Sequence, residues 1–353
     1  MTGNRIATFD IGGGTFRSGV FTLGSGRAVS LESPPQARQL RFNNAADLIN
    51  SSYRMAREFI SAEQHSCVFS FAGPVNTDLG TIVKLTNHGV EERDIPFAES
   101  ISGLFMQNDS RNIRVKVIND GEAGAYAEFG SQGALGDLND GDLGMALIWG
   151  NGIGGRLYQK AGNRIIPVPG AFEPGHYLID GSSLLDFGID QEATSEFAAG
   201  LSCGCGIAPS VQRGVNSLCM EAVLKGPSLQ TLFSLAAGRS IDLRDVASSF
   251  LTGADDPIID GVLSAAAKIL ASRLEAMQRG FDDLAPITFA LIGGVGVNLG
   301  KWIVPNMEVL SRSMKIQDQK PVWAQTPRYV VGAFPSDETN LWGNIFYGLA
   351  HPQ

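Results

Sequence analysis

Three sets of residues have types and spacings that could do chemistry. Asp10-Ile11-Gly12-Gly13-Gly14-Thr15 joins two extended stretches, Arg5 to Phe9 and Phe16 to Leu23. Gly150-Asn151-Gly152-Ile153-Gly154-Gly155 likewise joins the apolar run Met145 to Trp149 to the alternating Arg156 to Gln159. Glycines let backbone N–H groups approach an anion closely and the threonine hydroxyl adds a donor, so each hairpin could hold phosphate. An ordinary glycine-rich hairpin is the alternative for either one alone. Neither has the GxGxxG or GKS/T spacing of a Rossmann or P-loop site. A second set could hold hydroxyl groups. Asn119-Asp120 follows the apolar run from Val115 and precedes Gly121, Ala72-Gly73-Pro74-Val75-Asn76 follows Cys67 to Phe71, and Thr86-Asn87 falls in a further loop. Asparagine both donates to and accepts from a hydroxyl, although turns and helix caps are its commoner use, as they are for Asp-Gly. Glu173-Pro174-Gly175-His176 brings a carboxylate and an imidazole together on a turn. The third set is His176 with Cys203, Cys205 and Cys219. Three thiols and an imidazole make the Cys3His set typical of structural zinc, with buried free cysteines as the alternative.

Short apolar runs must place these groups. Cys67 to Phe71, the run ending at Ile118, Met145 to Trp149 and Ile287 to Ile292 read as strands, each ending at one of the polar or glycine-rich junctions. Ligands in open α/β sheets bind at such strand ends. Helical spacing covers Ala45 to Ile60 and Glu122 to Phe129. Asp256-Pro257 opens another helix that Gly280 stops, and a last one runs through Leu341, Trp342, Ile345, Phe346 and Leu349, capped near Ser336 or Asp337. Gly293-Gly294-Val295-Gly296 reads as a third glycine turn, opening a loop that could lie against a flat ring.

A chain of 353 residues exceeds what one hydrophobic core usually supports, so two domains are expected, and 44% hydrophobic residues supply both cores. The repeated strand, glycine turn, strand pattern suggests that the two are related. A net charge of -9 argues against nucleic acid as a partner. No apolar run is long enough to span a bilayer and no charged-then-apolar leader is visible, so a cytoplasmic protein is expected. Four cysteines, three of them between Cys203 and Cys219, are too few and too clustered for a secreted disulfide scaffold.

Taken in order, these motifs resemble the ROK family of sugar kinases and the related bacterial glucokinases, over nearly the whole chain. The resemblance rests on Asp10-Ile11-Gly12-Gly13 with Thr15, Asn119-Asp120, Gly150 to Gly155, Glu173 to His176 and Gly293-Gly294-Val295. It implies an α/β fold of two ribonuclease-H-like lobes, as in actin-like ATPases, flanking a central cleft. Residues 1–118 would form the small lobe, completed by a C-terminal helix at about 337–353. Residues 119–336 would form the large lobe, with a zinc-motif segment at 176–221. The implied reaction is ATP-dependent phosphorylation of a hexose hydroxyl, glucose first, with Asp120 as general base, a role suited to a carboxylate whose unperturbed pKa is about 3.9. Gly73, Asn87, Asn119, Glu173, His176 and Glu221 would hold the sugar. Asp10, Gly12, Gly13, Gly14, Thr15, Gly152, Gly154, Gly293 and Gly294 would hold ATP, with Asp10 near Mg2+ through water. His176, Cys203, Cys205 and Cys219 would hold structural Zn2+, and a homodimer is expected.

Two departures from the family pattern stand out. Gly14 is a third glycine before Thr15 where the family commonly has two, and Ile207 to Leu218 separates the third cysteine from the first two, an insertion in the zinc motif. Other hexoses, such as N-acetylhexosamines or fructose, present similar hydroxyl rows. A ROK-type transcriptional regulator is the non-catalytic alternative; it needs a helix-turn-helix ahead of the first phosphate motif, where nine residues precede Asp10. An actin-like interaction protein or chaperone would have no use for Glu173 to His176 or the cysteines.

Overall fold

The computed structural model describes residues 4–12, 15–24, 28–84, 92–169, 174–201, 217–251, 256–281, 286–317 and 326–351. The chain divides into two compact units, Met1–Gly136 with Phe334–Gln353, and Asp137–Ala333.

In the first unit, β1 (Asn4–Ile11) and β2 (Thr15–Leu23) form an antiparallel hairpin in which Asp10 pairs with Arg17 and Ile11 with Phe16. The outer side of β2 pairs with β3 (Val29–Leu31) and, at its start, with β4 (Gln36–Gln39). Asn44 caps α1 (Ala45–Phe59), accepting the N–H of Asp47, and this amphipathic helix buries Leu48, Tyr53 and Ala56. It crosses to β5 (Ser66–Phe71), parallel to β1. A small antiparallel sheet of β6 (Val75–Asn76), β7 (Thr81–Lys84) and β8 (Arg93–Ile95) precedes α2 (Phe97–Asp109). That helix leads to β9 (Arg114–Asn119), parallel to β5, and directly to α3 (Asp120–Phe129). The main sheet therefore runs β3-β2-β1-β5-β9. Its core is aromatic: Phe69 stacks on Phe9 with ring centroids 4.7 Å apart and meets Phe97 edge-on at 5.2 Å.

The second unit repeats this order. β10 (Leu143–Trp149), β11 (Ile153–Gly154), β12 (Leu157–Ala161) and β13 (Arg164–Pro167) make the antiparallel part. β16 (Thr288–Ile292) and β17 (Arg328–Val331) then add in parallel, giving β13-β12-β10-β16-β17. Tight hairpins suffice for the antiparallel half, whereas the parallel strands need helical crossovers. Between β13 and β16 lie β14 (Leu178–Asp180), α4 (Gln191–Gly200), β15 (Ser217–Cys219), α5 (Met220–Leu224), α6 (Gly226–Ala237), α7 (Leu243–Leu251) and α8 (Pro257–Arg279). Asp256 caps α8 by accepting from Ile258 and Ile259 N–H. Helix α9 (Gly293–Gln317) joins β16 to β17. No helix among the described residues is long and apolar enough to cross a membrane.

Two expectations are corrected. The boundary after 118 moves to Gly136, because α3 stays with the first unit: α10 (Thr339–Ala350) lies so close that a Cβ on Gly343 would stand 1.7 Å from the Ala123 carbonyl oxygen. The last helix is capped by neither Ser336 nor Asp337; Glu338 holds the N-cap position without a side-chain bond, and Thr339 Oγ1 donates to the Pro335 carbonyl.

Candidate active site

Asp120 is the first residue of α3, where β9 ends. Asn119 caps that helix, its Oδ1 accepting the N–H groups of Gly121 at 2.8 Å and Glu122 at 3.4 Å. Its Nδ2 donates to the Gly73 carbonyl at 2.7 Å and to Asp120 Oδ1 at 3.0 Å. An amide has two donors and two lone pairs, so the whole capacity of Asn119 is spent on aiming Asp120 and tying α3 to the loop after β5. To hold a sugar hydroxyl, as expected of it, Asn119 would have to release one of these partners. Gly73 has φ 140°, a conformation open to glycine, and this turns its carbonyl toward Asn119. The carboxyl of Asp120 is pushed up to about 7, first by desolvation and then by the negative charge of Asp10. The N–H of Gly121 and the amide of Asn119 oppose that shift. A carboxylate at that value is a far stronger base than the unperturbed group the sequence implies.

Asp10 is the penultimate residue of the central strand and is 2% exposed. Its Oδ1 accepts from Ser70 Oγ at 2.8 Å and Asn340 Nδ2 at 3.0 Å, and its Oδ2 pairs with Arg17 Nη1 at 3.0 Å. One turn further along α10, Asn344 Nδ2 donates to the Phe9 carbonyl at 2.6 Å and to Ser70 Oγ at 3.1 Å. The turn itself closes through Gly12 N–H to the Thr15 carbonyl at 3.0 Å, with Arg17 Nη1 3.5 Å from where a Gly12 Cβ would lie. Thr15 is the first residue of β2, and Gly13 and Gly14 lie outside the described residues. A carboxylate offers about four lone-pair sites, so Asp10 can take one more donor, such as a water of hydrated Mg2+, which keeps several of its waters when bound. The donor set fits the cation. Arg17, Ser70, Asn340 and Asn344 were not singled out in the sequence. The available signals were the cross-strand register opposite Asp10 and two asparagines spaced i, i+4 in an otherwise apolar helix.

In the second unit, Trp149 ends β10 fully buried, its indole N–H donating to the Leu224 carbonyl at 2.6 Å. Gly150 N–H bonds the Gly152 carbonyl at 2.9 Å, and the Gly150 carbonyl accepts from Gly226 N–H at 2.6 Å. Glu221, in the first turn of α5, accepts the N–H of Ile153 on Oε2 at 3.4 Å. The same oxygen lies 3.5 Å from where a Gly152 Cβ would stand and 3.2 Å from a Gly175 Cβ. A side chain at Gly175 would also meet the Ile153 carbonyl oxygen at 2.0 Å, which requires glycine in this turn. Gly154 pairs with Ile148 across β10 and β11. Gly293 and Gly294 do not open the loop that was expected but begin α9; Gly293, at φ 81°, hands the strand over where a Cβ would stand 2.8 Å from the Trp149 carbonyl oxygen. The backbone conformation, and not loop length, is what uses glycine there. A cavity of about 380 Å³ opens between Gly150, Gly226, Gln230, Arg244, Gly294 and Asn298, within the size range of small-molecule sites.

His176 Nδ1 stands 3.6 Å from Cys219 Sγ. The same sulfur donates to the Gly175 carbonyl at 3.1 Å, so Cys219 and His176 meet beside the Gly175 turn. The expected partners Cys203 and Cys205 lie outside the described residues, as do Asn87 and Glu173. Among the described residues no group of three or more His, Cys, Asp or Glu side chains could hold a metal.

No family model matches the sequence, and no curated protein matches it either. Solved structures do. A ROK family transcriptional regulator, a homologue of the E. coli MLC protein, superposes with a TM-score of 0.68 at 17% identity, over 98% of this chain and 78% of that one. The ROK family glucokinase from Streptomyces griseus, solved with glucose and AMPPNP, gives 0.65 at 17% identity, over 97% and 98%. The ROK hexokinase from Thermus thermophilus gives 0.59 at 19%, over 97% of both chains. The chain thus has the two-lobed actin-like ATPase fold of the ROK hexokinases and glucokinases.

Proposed function

We propose that this chain transfers the γ-phosphoryl group of ATP to a hydroxyl of a hexose, glucose first. The observation that carries the reading is Asp120: a carboxylate at a strand-to-helix junction, aimed by a fully committed asparagine and held at about 7 beside a buried Asp10. Asp120 takes the proton of the sugar hydroxyl as that oxygen attacks the γ-phosphorus, and the phosphorus–oxygen bond to ADP breaks. Because phosphoryl transfer depends on positioning and electrostatics, the surrounding groups carry much of the work. The Asp10 turn and the Gly150–Gly155 hairpin cradle phosphates with backbone N–H groups, and Arg17 lies over the first turn as a cation. Asp10 would hold Mg2+, an ion that neutralises phosphate charge when bound. Gln230, Asn298 and the N-terminus of α9 line the cavity suited to the nucleoside. His176, Glu221 and the turn with Glu173 hold the hexose, and His176, Cys203, Cys205 and Cys219 would hold a structural Zn2+ that braces them.

The test is a panel of hexoses with ATP, read as kcat/KM, with Asp120→Asn beside the parent. Glucose, N-acetylhexosamines and fructose rank the substrate. The variant should keep sugar and nucleotide binding and lose two to four orders of magnitude in kcat, roughly what a general base contributes. A variant that keeps most of its kcat would remove Asp120 from the role. The likeness to the ROK regulator favours one other reading, a sugar-sensing protein. Sugar binding with no ATP turnover across the panel would select it.

A further inference from the structure

Helix α5 is five residues long and is bonded at both ends. At its start, Met220 N–H donates to the Tyr177 carbonyl at 2.9 Å, and the preceding Cys219 pairs with Leu178 across β14 and β15. That end is therefore fixed to the turn carrying Gly175 and His176. At its end, the Leu224 carbonyl accepts from the Trp149 indole and Gly226 N–H bonds the Gly150 carbonyl, both at 2.6 Å. That end is fixed to the base of the Gly150–Gly155 hairpin. Between the two, Glu221 reaches from the helix to the N–H of Ile153, inside the hairpin, while lying against Gly175. Helix, turn and hairpin share one hydrogen-bonded frame, with a single carboxylate in contact with both loops.

We infer that Glu221 and α5 couple hexose binding to nucleotide binding, so that each ligand tightens the other. The inference rests on the reading of Glu221 as a hexose contact and of the hairpin as a phosphate cradle. A hydroxyl donating to Oε1 fixes the carboxylate whose Oε2 accepts from Ile153 N–H, and so fixes the hairpin in the form that meets phosphate. The second ligand then has less ordering to bring about, which is positive cooperativity. Linkage requires the effect to be reciprocal, and coupling of this kind is typically about 5- to 150-fold. Trp149 is a positioning residue in this scheme, acting through Leu224.

Isothermal titration of the preferred hexose, with and without saturating non-hydrolysable ATP analogue, and the reverse titration, measure the coupling factor in both directions. The parent should show equal factors of roughly fivefold or more. Trp149→Phe removes the indole donor together with part of the buried ring volume, and should bring the factor toward one while leaving each ligand's affinity in isolation within about twofold. Glu221→Gln keeps the side-chain volume and weakens the bond to Ile153 N–H, so it serves as the second variant if Trp149→Phe does not fold; it too should reduce the factor. If both ligands bind the parent and the factor is one, the coupling is refuted while the kinase reading stands. A full parental factor in either folded variant refutes the route through α5. If no hexose binds the parent at all, the functional reading falls and the coupling falls with it.

Discussion

At the scale of the residue, the carboxyl of Asp120 is tuned without any exotic group. Desolvation raises it and Asp10 adds a like charge, while the Gly121 N–H and Asn119 amide hold the ionised form in place. The stability consequence has a definite sign. The ordinary value is 3.8 and the folded value about 7, so the folded chain holds this proton more tightly than the unfolded one. The group's stabilising contribution is present below 3.8 and is lost as pH rises through about 7. Asp120→Asn is neutral throughout and escapes that loss. Thermal melting should find the variant more stable than the parent at pH 8, by an amount on the order of a few kcal/mol, with the gap closing toward pH 4. Equal melting curves at both ends would mean the carboxyl titrates as an ordinary aspartate. Activity should decline on the acid side of about 7, where the base becomes protonated.

At the scale of the element, the zinc proposal concerns the frame around β14 and β15. His176 Nδ1 and Cys219 Sγ stand 3.6 Å apart, and a longer loop between ligands adds closure entropy only logarithmically, about 0.6 kcal/mol per doubling. Elemental analysis of protein purified without chelator should find one zinc per chain, and its removal should raise KM for sugar more than for ATP and lower the melting temperature. Well under one zinc with full activity would leave the cysteines as buried thiols. Much of this scale was legible in the sequence. The apolar runs at Cys67 and Met145 became strands because they were short and bounded by glycine, and Asp256-Pro257 opened α8 as its cap chemistry requires. Helix α5 was not legible: five residues carry less than two turns of periodicity, and its ends are set by bonds to Tyr177, Trp149 and Gly150, distant in sequence. Gly293-Gly294 misled for a different reason, since a glycine pair signals a break and here the break is one left-handed residue at a helix start. Asp120 was legible as a polar group at a strand end, but its raised pKa depends first on burial and then on Asp10, and only the folded sheet supplies both.

At the scale of the whole molecule, the chain builds the same strand order twice and then returns to its beginning. Phe334–Gln353 belongs to the first unit, where α10 supplies Asn340 and Asn344 to the Asp10 network and its Leu341 carbonyl accepts from Thr8. A chain ending at Ala333 should therefore lose the protection of residues 1–136 against protease while 137–333 remains resistant, read by mass spectrometry of the fragments. Protection of both units in the shortened chain would show that α10 is dispensable for the fold of the first. The same arrangement bears on biosynthesis. A ribosome releases residues from the N-terminus at roughly 5–20 per second, so the second unit can fold while the first still waits for its last helix. For that interval the half carrying Asp10 and Asp120 is an unfinished sheet with the apolar bed of Phe21, Val29 and Ala127 open, where Leu341 and Ile345 of α10 later pack. The segment that completes the first unit is made after the whole of the second, so a chain stalled short of it exposes that apolar surface to chaperones and proteases.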